Sequence, residues 1–292
     1  MSIDELDIQQ KARDFIKQVD ISNIRDDLSP YLTAAKVKLH FEKLNEGESG
    51  YTFTKSDGTH SVTVNSLETP ERQRFTICHE IAHIVLGLPS SHDGIPAWGF
   101  AKRDVNEIMC DMFAAELLMP YKLWSDIVPN EEPSLELIQK MAGYFKASFP
   151  AAASRYASLC EIPCAFVTMN RGNVLYASRS NALRQARAWI SPRSVIPVGS
   201  VASRLRCLGK NSTETGSVAQ DVWFDNWENG YDMWELSRHY ADTDTTISLL
   251  WFGLEDLPDV PETDRFGVGV RNYDGLAELT GELPWPGRQK RR

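Results

Sequence analysis

The stretch "TICHEIAH" (76–83) sets two histidines four positions apart, with a glutamate directly after the first. In front of it, Thr69, Pro70 and Glu71 predict a helix start: a capping hydroxyl, a proline where no donor is needed, and a negative charge at the positive end of the dipole. Phe75, Ile77, Ile81, Ile84, Val85 and Leu86 predict that this helix is largely buried, and Gly87 followed by Pro89 ends it. Residues four apart on a helix share a face, so His79 and His83 can offer ring nitrogens to one metal ion at about 2.0–2.1 Å. Glu80 lies about 100° further round. It is poorly placed to be a third ligand on that face, yet it can reach a water held there. This is the logic of a hydrolytic zinc site, in which the metal acidifies a water and the glutamate takes its proton and later delivers it to the leaving amine. Without a ligand, the same apolar helix would bury two histidines and a carboxylate at a cost of several kcal/mol unless every group found a partner.

An open catalytic site needs one more protein ligand and leaves a fourth position for water. The segment "DVNEIMCDMFAAELLMP" (104–120) reads as a second helix, with Asp104 as its cap and Pro120 as its stop, and it carries Glu107, Asp111 and Glu116. Glu107 and Asp111 are one turn apart on one face, whereas Glu116 points to the opposite side. In the E-x-x-x-D arrangement Glu107 would bind the ion while Asp111 accepts the second ring N–H of a liganding histidine and fixes its tautomer. Glu107 has an equally good structural role, because Asp104 and Glu107 have the spacing of a capping box. Glu116 reads as a solvated or locally bonded surface residue. His92 sits in a polar connecting loop, and His40, His60 and His239 stand alone. Cys78, beside His79, faces away from the ion on helix geometry and reads as core.

These two helices resemble the ImmA/IrrE family of metallopeptidases. The resemblance lies in "RQRFTICHEIAHIVLG" (72–87) and "EIMCDMFAAELLMP" (107–120), preceded by the short strand "SVTVN"; it is clear over residues 35–125 and weaker over 126–180. It implies that His79 and His83 are metal ligands, that Glu80 is the general acid/base and that Glu107 is the third ligand, a gluzincin-like set with Asp111 supporting a histidine. It makes Glu116 part of the helix's packing. It implies zinc as cofactor, although such a donor set also accepts manganese, iron or cobalt. It further implies a protein substrate, a DNA-binding repressor of the Xre type, cleaved in a stress or mobile-element response.

Charge and composition narrow the rest. A formal net charge of −9 works against a broad nucleic-acid footprint, since affinity for phosphate backbones comes from many lysines and arginines releasing counterions. Direct nucleic-acid binding is therefore not expected; the repressor would hold the DNA. No apolar run approaches the roughly 20 residues that cross a bilayer, so no membrane partner is expected. The opening "MSIDELDIQQKARDF" is acidic and amphipathic rather than signal-like, which predicts a cytoplasmic location. Five cysteines, an odd number with no C-x-x-C pair, do not form a disulfide framework; Cys160 and Cys164, separated by "EIP", read as small buried hydrophobes ahead of a metal or redox pair.

The expected fold class is α+β. Residues 1–128 form a zincin-like domain: a first helix near 4–18, then a small antiparallel sheet from "KVKLHFEKL" and a hairpin around Ser56-Asp57-Gly58, then the H-E-x-x-H helix. Residues 129–162 form a helix-turn-helix-like segment broken at Ser148–Pro150, which reads more readily as a helical hairpin packed on the catalytic unit. Residues 163–285 form a C-terminal α/β domain, GAF-like and sensory by the family resemblance. It would hold a hairpin turning at Arg171–Asn173, a buried strand in "DTTISLLWFGL" and an aromatic-rich core, since six of the eight tryptophans follow residue 188. Residues 286–292 form a basic tail. The competing reading is a ligand- or partner-sensing regulator whose metal site is structural and which has no protease activity.

Overall fold

The computed structural model describes residues 5–45, 47–89, 105–128, 132–225, 227 and 231–258. Helices α1 (Glu5–Ile16) and α2 (Ser29–Ala34) precede strands β1 (Val37–Glu42), β2 (Gly50–Thr54) and β3 (His60–Asn65). Two long helices follow, α3 (Pro70–Leu86) and α4 (Val105–Leu118), then the short α5 (Tyr121–Ser125) and the pair α6 (Leu135–Phe145) and α7 (Phe149–Leu159). The remainder comprises β4 (Cys164–Asn170), β5 (Asn173–Arg179), α8 (Asn181–Gln185), α9 (Val201–Leu208), β6 (Ser212–Ala219), β7 (Asp232–Tyr240) and β8 (Thr245–Trp251). No helix among the described residues is long and apolar enough to cross a membrane.

The first sheet has the order β1-β3-β2 and corrects the expectation of an antiparallel one. The β2–β3 hairpin is antiparallel as predicted, turning through Gly58 at φ 78°, but β1 runs parallel to β3, from Val37 opposite His60 to Glu42 opposite Asn65. Burial explains the arrangement. β3 carries Val62 and Val64, both fully buried, and takes the centre, leaving β1 and β2, with Phe41 and Phe53 exposed, at the edges.

α3 follows its sequence signals closely. The Thr69 hydroxyl accepts the Arg72 N–H at 3.4 Å, Pro70 is the first helical residue, and Gly87 closes the helix in the left-handed region. Val85 departs from expectation: it is exposed, since the buried stripe runs through Ile77, Cys78, Ile81 and Ala82 on the side facing the core. Asp104, His92, the loop from residue 90 to 104 and the tail 286–292 lie outside the described residues.

The second sheet is antiparallel, ordered β5-β4-β8-β7-β6, so that the first and last strands of this part of the chain lie together at the centre. Alternation sorts their side chains into two cores. Cys164, Phe166, Ile247, Leu249 and Trp251 join the cluster built from α1, α3, α4, α6 and α7, while Ala165, Val167, Met169 and Leu250 pack with α8, α9, Trp223 and Phe224. Both faces are covered, which is why "TISLLW" reads as an apolar run. The β4–β5 turn is made by Arg171 and Gly172, both at positive φ, as hairpin geometry requires. The tryptophan expectation holds in part: Trp223, Trp227 and Trp251 are buried, whereas Trp189 and Trp234 are about half exposed.

α6 and α7 form the predicted pair around Ser148, whose hydroxyl caps α7 at the Ala151 N–H. α7 lies against β4 and β5, and Pro150 is the only exposed residue along it.

Candidate metal centre

α3 and α4 pack side by side, and their facing turns bring His79, His83, Glu107 and Asp111 together. His79 Nε2 lies 3.1 Å from His83 Nε2 and 3.1 Å from Glu107 Oε2, and His83 Nε2 lies 3.5 Å from Glu107 Oε1. Ligands about 2.05 Å from a tetrahedral ion are about 3.4 Å apart, so these three separations match one triangular face of such a site. The other ring nitrogen of His79, Nδ1, is 2.9 Å from Asp111 Oδ1. With its proton on Nδ1, directed at Asp111, the Nε2 lone pair of His79 points at a carboxylate oxygen and a second imidazole, a contact that only a proton or a metal cation makes favourable.

The electrostatics agree. Burial works against a charged His79 ring, yet its bonds to Asp111 and Glu107 outweigh burial and raise its pKa to about 9. Burial likewise favours a neutral Glu107, but the bonds to His79 and His83 hold its carboxyl well below the usual carboxylate range. Positive charge is thus stabilised at the point where the three donors converge, and the residues present fit a divalent metal. Replacing Asp111 by Asn removes the charge that orients His79; metal affinity measured by competition with a chelating dye should fall about 10- to 100-fold while the fold stays intact.

Glu80 sits on the adjacent stripe of α3, 3% exposed, and its Oε2 accepts a hydrogen bond from Thr52 Oγ1 at 2.6 Å. Thr52 was not legible as a site residue, although the alternation in "GYTFT" put it on the face opposite Tyr51. Its position depends on a close approach of β2 to α3. A Cβ at Gly50 would come within 2.6 Å of Thr76 Cγ2 and 2.8 Å of the Thr63 carbonyl oxygen, so glycine lets the strand lie against the helix. Thr76 and Glu80 are one helical turn apart, a spacing close to that of Gly50 and Thr52 along a strand.

Glu116 corrects the surface reading. It is 1% exposed; its Oε2 accepts from Arg155 Nη2 at 2.5 Å and its Oε1 from the Tyr121 N–H at 2.9 Å, with Arg13 Nε at 3.5 Å. Arg155 also donates to the Met119 carbonyl. Glu116 therefore anchors the back of α4 to α1 and α7 while Glu107 and Asp111 face α3. A buried carboxylate one helix away from its arginine in space, but 39 residues away in sequence, leaves no local signal. Tyr121 lies beneath the Arg13 guanidinium, 4.9 Å from it. Cys78 is buried core, as expected, and His239 is buried with its ring bonded to Thr246.

Residues 33–156 match the Peptidase_M78 family model, described as the IrrE N-terminal-like domain. Residues 33–156 are thus similar to the IrrE N-terminal-like domain of the ImmA/IrrE metallopeptidases. The IrrE-like part is 36% identical over 103 residues to the radiation response metalloprotease IrrE of Deinococcus deserti, covering 34% of this chain and 35% of that protein. It is 34% identical over 113 residues to the protein of the same name from Deinococcus radiodurans, covering 37% of this chain and 33% of that one. The chain thus spans about a third of the length of these relatives. A solved Mycobacterium tuberculosis transcriptional regulator shares the fold over 84% of this chain and 76% of its own, with a TM-score of 0.53 at 13% identity, so the likeness in fold extends past the IrrE-like domain.

Proposed function

We propose that the chain is a metal-dependent endopeptidase that cleaves a DNA-binding repressor of the Xre type, with His79, His83 and Glu107 holding zinc and Glu80 as general acid/base. The observation that carries this reading is the triangle of three donor atoms beside a buried Glu80 that points elsewhere than into the triangle's own bonding. Zinc held by those donors would lower the pKa of a water and polarise the scissile carbonyl. Glu80 would accept the proton of that water and return it to the departing amine, which calls for a carboxylate kept still and out of bulk solvent. Thr52 holds one of its oxygens, leaving the other for the proton. Asp111 would keep His79 in the tautomer whose Nε2 is free to hold the metal. The radiation-response role named for the Deinococcus relatives supports a stress-linked protease.

The proposal includes a division of the chain at residues 128 and 162 and a GAF-like sensory role for residues 163–285. Its support is that β4 opens a sheet with its own helices, and that one whole core cluster is drawn from residues between Ala165 and Leu257. The acidic charge and the covered α7 support a protein rather than a nucleic acid as the partner. The proposal also sets this activity in the cytoplasm, the compartment in which a repressor bound to DNA would be met.

The direct test mixes the zinc-loaded protein with the small repressor encoded beside its gene. Discrete fragments, abolished by a chelator and restored by zinc, are expected; an intact repressor, together with intact unrelated Xre-type repressors, would reject the reading. Thr52→Val should lower the cleavage rate about 10- to 150-fold, the worth of one buried hydrogen bond to a charged group, with zinc content unchanged by elemental analysis.

A further inference from the structure

β2 runs alongside α3 and in step with it. Ser49, just before the strand, accepts from Arg72; a Cβ at Gly50 would meet Thr76; and Thr52 bonds to Glu80. β2 is also an edge strand. The Asn65 N–H bonds to the Ser49 carbonyl and the Lys55 N–H to the Thr59 carbonyl, which fixes the residues that hydrogen-bond to β3. Alternate residues of an antiparallel ladder turn their main-chain groups to the partner, so those of Gly50, Thr52 and Thr54 turn to the open edge. A row of donors and acceptors thus lies beside Glu80, suited to a chain in extended form.

The stripe of α3 that bears His79 continues away from the donor triangle through Phe75 to Arg72, four and seven residues earlier. The Phe75 ring is 6.2 Å from that of His79, and the Arg72 guanidinium is 5.7 Å from the Phe75 ring. Arg72 donates through Nε and Nη2 to the neutral Ser49 hydroxyl at 3.3 and 3.0 Å. The nearest carboxylate, Glu68, stands at 3.8 Å from Nε and spends the same oxygen on Ser49. Nη1 makes no bond among the described residues, and the side chain is 37% exposed. A guanidinium held by a hydroxyl and a ring keeps its charge for an incoming anion, which it can grip with paired N–H donors.

We propose, resting on the peptidase reading above, that Arg72 is a specificity-determining residue that reads an acidic side chain of the substrate on one side of the bond to be cut. Its position sets the register. Seven helical residues at about 1.5 Å each put Arg72 about 10 Å along α3 from His79. An extended chain covers that distance in about three residues at about 3.3 Å each. The preferred Asp or Glu is therefore about three residues from the cleaved bond. Phe75 keeps the guanidinium at that distance by filling the space between Arg72 and His79.

The test incubates the full, zinc-loaded chain with a chymotryptic peptide library and locates the new termini by mass spectrometry. Asp and Glu should be enriched at least about threefold at one position, about three residues from the cut and on one side only. Arg72→Lys should keep this preference. Arg72→Gln, which can still donate to Ser49, should lose it while neutral peptides are still cut, and Arg72→Glu should replace it with a preference for Lys and Arg. A residue that only held β2 to α3 would change all rates alike and leave the preference in place. Cuts without acidic enrichment, or the wild-type preference in Arg72→Glu, would overturn the proposal and leave the peptidase reading standing. A library left uncut would overturn it as well, since recognition would not then lie in residues beside the bond; repressor cleavage, tested above, decides the peptidase reading separately. The wild-type profile stands even if a variant folds poorly.

Discussion

Glu80→Gln is expected to abolish cleavage while leaving zinc in place. The amide keeps the volume of the carboxylate and can still accept from Thr52, so the packing of α3 against β2 should survive. What it cannot do is take a proton from water and hand it on. General acid/base groups contribute about 10²- to 10⁴-fold, and a fall of that size in the rate of repressor cleavage, with one zinc per chain retained, is the predicted outcome. His79→Ala should behave differently, losing metal and activity together, because Nε2 of His79 stands at two of the three edges of the donor triangle. A Glu80→Gln protein that cuts at the wild-type rate would remove Glu80 from the chemistry.

The second large effect lies at the back of α4. Arg155→Met should cost about 3–5 kcal/mol of folding stability, read from chemical denaturation, because it leaves the Glu116 carboxylate buried without its arginine. Arg13 reaches the other oxygen only at 3.5 Å and from a partly exposed position, so it does not replace the lost partner. The penalty belongs to the stranded charge rather than to the pair. Adding Glu116→Gln to Arg155→Met should therefore recover much of the loss, since the neutral amide still accepts from the Tyr121 N–H. Equal stability of the single and double variants would show that Arg155 acts by packing alone. Because α4 carries Glu107 and Asp111, the single variant should also bind zinc more weakly than its fold content predicts.

The candidate metal centre was legible because its signals are local. His79, Glu80 and His83 are fixed by helical spacing, and the helix itself announces its ends through Thr69, Pro70 and Gly87. Glu107 was only half legible from its own residues, since a capping box explains the same spacing, and the family resemblance was needed to choose. Thr52 and Arg155 were not legible at all. Each acts through a partner far away in the chain, 28 residues for Thr52 and Glu80 and 39 for Arg155 and Glu116, and no periodicity encodes a contact of that kind.

The sheets divide in the same way. Alternation identified β1, a turn signal the β2–β3 hairpin and an apolar run β8, yet the pairing of β1 with β3 in parallel turned on which strand was apolar enough to take the centre, a competition among all three. Likewise, composition suggests a boundary near residue 162, whereas the sharing of one core on either side of that point has no sign in the sequence: Phe166, Leu249 and Trp251 pack with α6 and α7 because alternate residues of a central strand face opposite layers. The sequence by itself determined the helix that presents two imidazoles and a carboxylate, since turn geometry and capping act within a few residues. Only the tertiary structure decided which carboxylate completes the triangle, which hydroxyl steadies Glu80 and which arginine neutralises Glu116, because those choices depend on how separate elements pack.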